Sequence, residues 1–146
     1  MELPYLDFDK SLAKAYRKTS QVFAFRSDDA FTFHKPWGVQ NLPEGSWIIV
    51  PLNDGRPTGD AYGCHPTAFV TTYRPAGADY PHTYEKYAVV HAYQPGRPFA
   101  VRTKVADFVE TDPATGGATD WAVLNPGGEI YIIADVVFRS TYQVVP

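Results

Sequence analysis

The stretch YGCHPTAFVTTY, residues 62–73, has a counterpart near the end of the chain, YIIADVVFRSTY at residues 131–142. Both stretches place Tyr, Phe, Thr and Tyr at the same four positions. Two earlier pairs follow the same order: YRKTSQVFAF from Tyr16 corresponds to YEKYAVVHAY from Tyr84, and GSWIIV corresponds to TDWAVL. Several matching landmarks in one order are harder to obtain by chance than one short match, so the sequence predicts an internal duplication.

The predicted organisation follows from these landmarks. A lead-in at residues 1–15 precedes a first unit at 16–75, a linker at 76–83 and a second unit at 84–146. The linker is rich in Pro, Gly and Ala, as connections often are. Units of about 60 residues have small cores. We therefore expect the two to pack together as one pseudo-symmetric body.

Local patterns favour a mostly β fold. Short segments rich in β-branched and aromatic residues, such as QVFAF, SWIIVPL, AFVTTY and EIYIIA, alternate with turn sequences such as NDGRPTGD, TDPATGG and NPGG. The sequence thus predicts small β-barrel or sandwich units. One short N-terminal helix is expected at about 9–17, where Leu12, Ala15 and Tyr16 share a helical face. Single helical turns are a weaker prediction at HPTAF and ADVVF, since Pro66 suits the first position of a helix.

Composition narrows the class of protein. The 146 residues include 20% charged and 15% aromatic side chains, with a net charge of −3. Lys and Arg are scattered, so no nucleic-acid partner is expected. The start, MELPYLDFDK, has neither a basic region nor an apolar core, and no stretch is long enough to span a bilayer. The expectation is a soluble, cytoplasmic protein without a membrane partner.

A family resemblance covers most of both units. YRKTSQVFAF, GSWIIV and YGCHPTAFVTTYRP in the first, and YEKYAVVHAY with TDWAVLNPGGEIYIIADVVFRSTYQVV in the second, resemble short, mostly uncharacterised phage and prophage proteins. Those proteins show a YRKKPVVVEA … GDWIV … GE.YPC.PDIFE.TYEP pattern. This chain lacks the Asp before Trp47. The resemblance implies a compact β-rich unit and no established chemistry.

Residues present in only one unit are the candidates for function. FHKPWG places His34, Lys35 and Trp37 together, and FAVRTKVADF in the second unit has no such group. Trp37 could stack on a ligand, with His34 and Lys35 at its polar rim, and Arg26 and Asp28 precede the same strand. The alternative is a structural Trp that closes one end of the fold. The predicted ligand-binding residues are Trp37, His34, Lys35, Arg26 and Asp28.

Catalytic and metal signatures do not emerge from the sequence. Cys64 and His65 are neighbours whose side chains diverge in a strand or a helix, so they do not form a dyad, and Cys64 fits a small buried residue. The four histidines lack a ligand spacing such as HxH. The sequence therefore predicts neither a metal site nor a cofactor.

Three functions remain open at this point. The leading hypothesis is a non-catalytic binding module that recognises a protein or a small molecule. The alternative is a small hydrolase-like enzyme acting on a nucleotide or sugar-like substrate through His34, Lys35, Arg26, Asp28 and Asp29. A structural or interaction subunit of a phage assembly follows from the resemblance alone. The oligomeric state is not predicted.

Overall fold

The computed structural model describes residues 3–77 and 81–146 and confirms the mostly β class. The strands are β1 (Lys14–Lys18), β2 (Gln21–Arg26), β3 (Phe31–Lys35), β4 (Gly38–Leu42), β5 (Trp47–Asn53), β6 (Arg56–Pro57), β7 (Tyr62–Cys64), β8 (Tyr73–Pro75), β9 (Thr83–Lys86), β10 (Val89–Tyr93), β11 (Phe99–Val105), β12 (Phe108–Gly116), β13 (Trp121–Leu124), β14 (Ile130–Ile133) and β15 (Tyr142–Val144). The helices are a 3₁₀ turn (Lys10–Leu12), α1 (Pro66–Thr72) and α2 (Asp135–Thr141).

Two antiparallel sheets form the body of the molecule. The first sheet has the order β6-β5-β2-β9-β8, and β7 also pairs with β5. The second sheet has the order β14-β13-β10-β1-β15. Two hairpins complete the strands, β3 with β4 and β11 with β12.

One strand of each sheet comes from a distant part of the chain. Strand β1 lies between β10 and β15, with Tyr16 opposite both Val90 and Val144. Strand β9 lies between β2 and β8, with Tyr84 opposite both Val22 and Pro75. Sheet membership therefore crosses the predicted boundary between residues 16–75 and 84–146.

Each helix packs an aromatic stack onto one sheet. In the first sheet the rings of Trp47 and Phe69 stack with centroids 3.9 Å apart. In the second sheet Trp121 and Phe138 stack with centroids 4.0 Å apart. Both phenylalanines are buried, and α1 begins at Pro66 as the sequence predicted. The helical turns predicted at HPTAF and ADVVF are confirmed.

The edges of these stacks are closed by tyrosines from the crossing strands. Tyr84 of β9 meets Phe69 edge-on at 5.1 Å, and Tyr16 of β1 meets Phe138 edge-on at 4.9 Å. Edge-to-face geometry directs the positive ring edge at the negative ring face. Each aromatic core is therefore completed by a strand that crosses between the two parts of the chain.

The outer face of the second sheet is covered by other segments of the chain. Tyr93 of β10 packs with the β11–β12 hairpin, including Phe99, and with Leu6 and Phe8 of the N-terminal segment. The Phe8 and Tyr93 ring centroids are 4.9 Å apart. Tyr93 is thereby buried, with 7% of its surface exposed.

Some local predictions were wrong. The predicted helix at 9–17 is a 3₁₀ turn followed by β1, because β1 gains backbone partners on both sides and tertiary pairing outweighs the local pattern. AFVTTY was predicted as a strand but belongs mostly to α1.

The predicted turn at TDPATGG lies largely within β12, where register shifts after Val101 and Thr103 accommodate Pro113 in the ladder. The expected small barrels are also absent from residues 3–77 and 81–146, since both sheets end at edge strands. Within the same ranges, no helix is long and apolar enough to cross a membrane.

Candidate functional site

The predicted ligand-binding residues lie along one strand and its flanks. Arg26 ends β2, Asp28 follows in the loop, His34 and Lys35 are in β3, and Trp37 is in the β3–β4 turn. The guanidinium of Arg26 donates to the Gly45 carbonyl at 3.2 Å, and Lys35 Nζ donates to the Ala61 carbonyl at 2.9 Å. Neighbouring side chains of a strand point to opposite faces. His34 and Lys35 therefore do not form one polar rim.

Trp37 is partly buried and packs against the cluster around Tyr93. Its carbonyl accepts a hydrogen bond from the Thr115 amide at 3.0 Å. The residue thus joins the β3–β4 turn to strand β12. Its role beside a ligand stays a prediction.

A polar cluster occupies the contact between the two sheets. It contains two lysines and four tyrosines: Lys18, Lys86, Tyr62, Tyr73, Tyr131 and Tyr142. Lys86 Nζ donates to Tyr131 Oη at 2.6 Å and to Tyr142 Oη at 3.0 Å. Lys18 Nζ donates to Tyr62 Oη at 3.4 Å. Tyr62 Oη and Tyr73 Oη are 2.7 Å apart. Each lysine therefore donates a hydrogen bond to a tyrosine of the other sheet.

Burial shapes the protonation of this Lys–Tyr cluster. Only 6% of Lys86 is exposed, and its ammonium also lies 5.1 Å from the Tyr131 ring centroid. Burial lowers the pKa of Lys18, and the nearby positive charge of Lys86 acts in the same direction. Burial raises the pKa of Tyr62, Tyr73 and Tyr131.

Tyr142 differs from the other three tyrosines. Burial alone would raise its pKa, but the positive charges of Lys86 and Lys18 and the hydrogen bond from Lys86 bring the pKa down to about 8. A tyrosine with such a pKa can exchange a proton near neutral pH. However, only 8% of Tyr142 is exposed, so substrate access is restricted. The hydrogen bonds of the cluster join the two sheets.

Acidic groups border the Lys–Tyr cluster. Tyr131 Oη donates to Asn125 Oδ1 at 3.3 Å, and Asn125 Nδ2 donates to Glu129 at 3.1 Å. Glu110, 2% exposed, accepts a long bond from Gln40 at 3.4 Å, and its Oε1 has no hydrogen-bond partner among the described residues. Burial, together with the charge of Glu129, raises the pKa of Glu110 to about 8. Burial also raises the pKa of Glu129.

Cys64 is partly buried against the first aromatic core. Burial raises the pKa of its thiol well above the usual range, which disfavours the nucleophilic thiolate. Across residues 3–77 and 81–146, no group of three or more His, Cys, Asp and Glu side chains is placed to hold a metal ion.

The outer face of the first sheet carries exposed aromatic residues. Phe23 and Phe25 of β2 are 37% and 40% exposed, with ring centroids 6.0 Å apart. The ring of His82 lies 5.8 Å from Phe23. Half-buried Val50 and Ile48 are their direct partners on β5, so the apolar surface continues across two strands. Contiguous exposed apolar surface of this kind commonly marks an interaction site.

Two surface depressions lie away from the predicted ligand-binding residues. One of about 310 Å³ is lined by Tyr5, Leu6, Val101, Arg102 and Ile130. Another of about 330 Å³ is lined mainly by polar residues from Thr19 to Gln21 and from Leu52 to Gly55. Neither contains a residue from the predicted ligand-binding set.

Sequence reasoning missed both the Lys–Tyr cluster and the aromatic face. The lysines at equal positions in YRK and YEK were a usable signal, but their meeting with tyrosines depends on how the sheets pack. Phe23 and Phe25 belong to a strand with alternating burial, and only the tertiary structure shows that their face is uncovered. No protein-family model, curated protein or solved structure matches the chain.

Proposed function

We propose that the protein is a non-catalytic binding module of the phage or prophage type, which recognises another protein through the outer face of its first sheet. One observation carries the proposal. Phe23 and Phe25 are exposed on β2, a central strand. Tyr93, which occupies the place of Phe25 on β10, is instead buried against Phe8. An aromatic pair on a rigid strand supplies apolar contact area at little cost in conformational entropy.

The chain is also proposed to be a duplication, with the two sheets packed as a pseudo-symmetric sandwich. Strand registers support this proposal. Ala24 faces Ile49, and Ala92 faces Val123 at the matching landmarks. Two backbone hydrogen bonds also match: the Thr19 amide donates to the Thr141 carbonyl, and the Tyr87 amide donates to the Thr72 carbonyl. Thr19 and Tyr87 occupy equal positions in the repeat, and so do Thr72 and Thr141.

The chemistry of the polar groups supports a non-catalytic role. In the Lys–Tyr cluster, the ammonium groups and hydroxyls are hydrogen-bonded to one another and largely shielded from solvent. Lys35 and Arg26, which the hydrolase alternative requires, both donate to backbone carbonyls. We therefore do not advance a hydrolase.

Photocrosslinking in cells that carry the gene tests the proposed function. A photoreactive phenylalanine analogue at position 25 is expected to crosslink the protein to a distinct partner. The matched control places the analogue at Val136 of α2, which is 80% exposed and apolar but lies away from this face. Identical crosslinked products from both positions would overturn the proposal.

A further inference from the structure

The second sheet shows how its own outer face is covered. Residues 4–6 run parallel to β11: the Leu6 amide donates to the Ala100 carbonyl at 2.8 Å, and the Ala100 amide donates to the Pro4 carbonyl at 3.4 Å. Leu6 and Phe8, two positions apart, then pack on the cluster around Tyr93. An extended segment therefore adds to a hairpin edge and covers an aromatic strand in one step.

The first sheet has the same hairpin edge. In β3–β4, Phe31, Thr32 and Phe33 face Leu42, Asn41 and Gln40. In β11–β12, Phe99, Ala100 and Val101 face Gly116, Thr115 and Ala114. Thr32 thus occupies the place of Ala100.

The backbone of Thr32 points away from its hairpin partner. Lys35 and Gly38 flank the two-residue turn and form the hydrogen-bonded pair next to it. Because such pairs alternate along an antiparallel ladder, Thr32 and His34 are in non-hydrogen-bonded pairs. Their N–H and C=O groups face the open edge of β3, and among residues 3–77 and 81–146 no backbone group is bonded to them there.

Chain topology explains why this edge is open. Strand β1 is preceded by the N-terminal segment, which is free to reach β11. Strand β9, its counterpart in the first sheet, is joined to β8 as a hairpin, and the Ala76 amide donates to the Thr83 carbonyl at 2.9 Å. Residues 76 and 83 are therefore held next to each other, unlike the N-terminal segment before β1. Among residues 3–77 and 81–146, no segment pairs with β3 in the way that residues 4–6 pair with β11.

We propose that the open edge of β3, with Phe23 and Phe25, binds an extended segment of a partner protein. We call Thr32 and His34 at this edge, together with Phe23 and Phe25, the β3 groove, because residues 4–8 connect the matching edge at Ala100 with Tyr93 in the second sheet. The segment runs parallel to β3, exchanges backbone hydrogen bonds with Thr32, and places an aliphatic and an aromatic residue, two positions apart, on the phenylalanines. This inference rests on the proposed function and specifies the chemistry of its partner.

The N-terminal segment on the second sheet shows which contacts a segment bound at the β3 groove would make. The Asp9 amide donates to Tyr93 Oη at 3.1 Å, but Phe25 has no hydroxyl at that place. The β3 groove therefore offers an apolar contact at Phe25, and the edge of β3 supplies the backbone hydrogen bonds.

A synthetic peptide with the sequence of residues 3–9, LPYLDFD, serves as the probe against the full-length protein. We expect the peptide to bind and to protect the Thr32 and His34 region from amide exchange in NMR. Phe23→Ser with Phe25→Ser is expected to weaken binding at least about tenfold, or about 1.4 kcal/mol. Val136→Ser is the matched surface control and leaves binding unchanged.

Backbone methylation of the peptide tests the register. In the covered sheet the Leu6 amide donates to β11, whereas the Tyr5 amide points the other way. N-methylation at the peptide Leu that matches Leu6 is expected to abolish binding, and N-methylation at the Tyr that matches Tyr5 to preserve it. Equal effects of the two modifications would overturn the proposed strand addition.

The remaining outcomes are equally decisive. No binding at about 1 mM peptide, or protection confined to the region of Ala100, would overturn the β3 groove as the site. Self-association of the protein that the peptide blocks would identify a second copy as the occupant and overturn the partner. If the peptide fails while crosslinking from position 25 still captures a distinct protein, the proposed function stands and only the mode of binding falls.

Discussion

At the scale of single residues, two phenylalanines hold the aromatic cores together. Phe69 and Phe138 are 4% and 2% exposed, and each lies between a tryptophan and a tyrosine. Each ring stacks with the tryptophan of β5 or β13 on one side and with the first tyrosine of β8 or β15 on the other. The two phenylalanines occupy the same position in the repeated stretches 62–73 and 131–142.

Truncating either ring should therefore be costly. Phe69→Ala and Phe138→Ala are each expected to lower the free energy of unfolding by about 3–5 kcal/mol, because each leaves a cavity in a stacked core. Urea denaturation measures the change. Losses below about 1 kcal/mol at both positions would contradict these core roles.

Glu110 predicts a pH dependence of stability. Its side chain is buried with one oxygen unpartnered, and its pKa rises to about 8 from 4.5. Between these values the folded protein holds a proton that the unfolded chain releases, so stability is fully present below pH 4.5 and decreases as pH rises to about 8. The neutral acid is therefore the form that the fold accommodates.

Glu110→Gln mimics that neutral acid and should flatten this decline. At pH 8 we expect the variant to exceed the original protein in stability by about 1–3 kcal/mol, with little difference at pH 5. A decline from Glu129, whose pKa is also raised by burial, is expected to remain. Glu44→Gln, in an exposed turn, is the control. An unchanged pH profile in Glu110→Gln would refute the assignment.

At the scale of elements, the β3–β4 and β11–β12 hairpins each pack against a sheet through one glycine and one large aliphatic residue, but with the two residues exchanged. In the first sheet Leu42 of β4 covers Gly63 of β7, and a Cβ built on Gly63 would lie 2.5 Å from Leu42 Cδ2. In the second sheet the corresponding places hold Gly116 and Ile132, so the large residue is on the sheet and the glycine on the hairpin. In both cases a large side chain fills the space beside a glycine, so the contact between hairpin and sheet stays packed.

This complementarity predicts a non-additive pair of substitutions. Gly63→Ala is expected to cost about 1–3 kcal/mol through overpacking, and Leu42→Ala about 2–5 kcal/mol through a cavity. The double variant should cost less than the sum by about 0.5–3 kcal/mol, because the new methyl group enters the space that Leu42 leaves. A double-mutant cycle measured by denaturation checks this.

Gly127→Ala provides the control for the cycle. A Cβ at Gly127 meets no atom within 4 Å, so this change is expected to stay within about 0.5 kcal/mol. Additivity of Gly63→Ala and Leu42→Ala would show that the two positions do not share one packing space.

At the scale of the whole molecule, strand crossing joins the two sheets into one cooperative unit. Strand β1 completes the second sheet and β9 completes the first, while Lys86 spans the contact between them. Neither sheet can lose its crossing strand without exposing an aromatic core.

Unfolding is therefore expected to show a single transition. Tryptophan fluorescence and far-UV circular dichroism should coincide, and Phe69→Ala and Phe138→Ala should both shift the same midpoint. Two separate transitions, each moved by only one of the variants, would mean that the sheets unfold independently.

The residue pattern by itself determined the β-rich class, most strands and the helix starting at Pro66, because these depend on local propensity and on alternation of apolar residues. The repeated stretches also contain Phe69 and Phe138, which stack in the two cores. The tertiary structure alone decided the crossing of β1 and β9, since pairing between distant strands adds backbone partners that local spacing does not encode. The edge of β3 has the same origin: β3 and β11 match in the repeated sequence pattern, but only β11 pairs with a further segment among residues 3–77 and 81–146, and local sequence does not encode this difference.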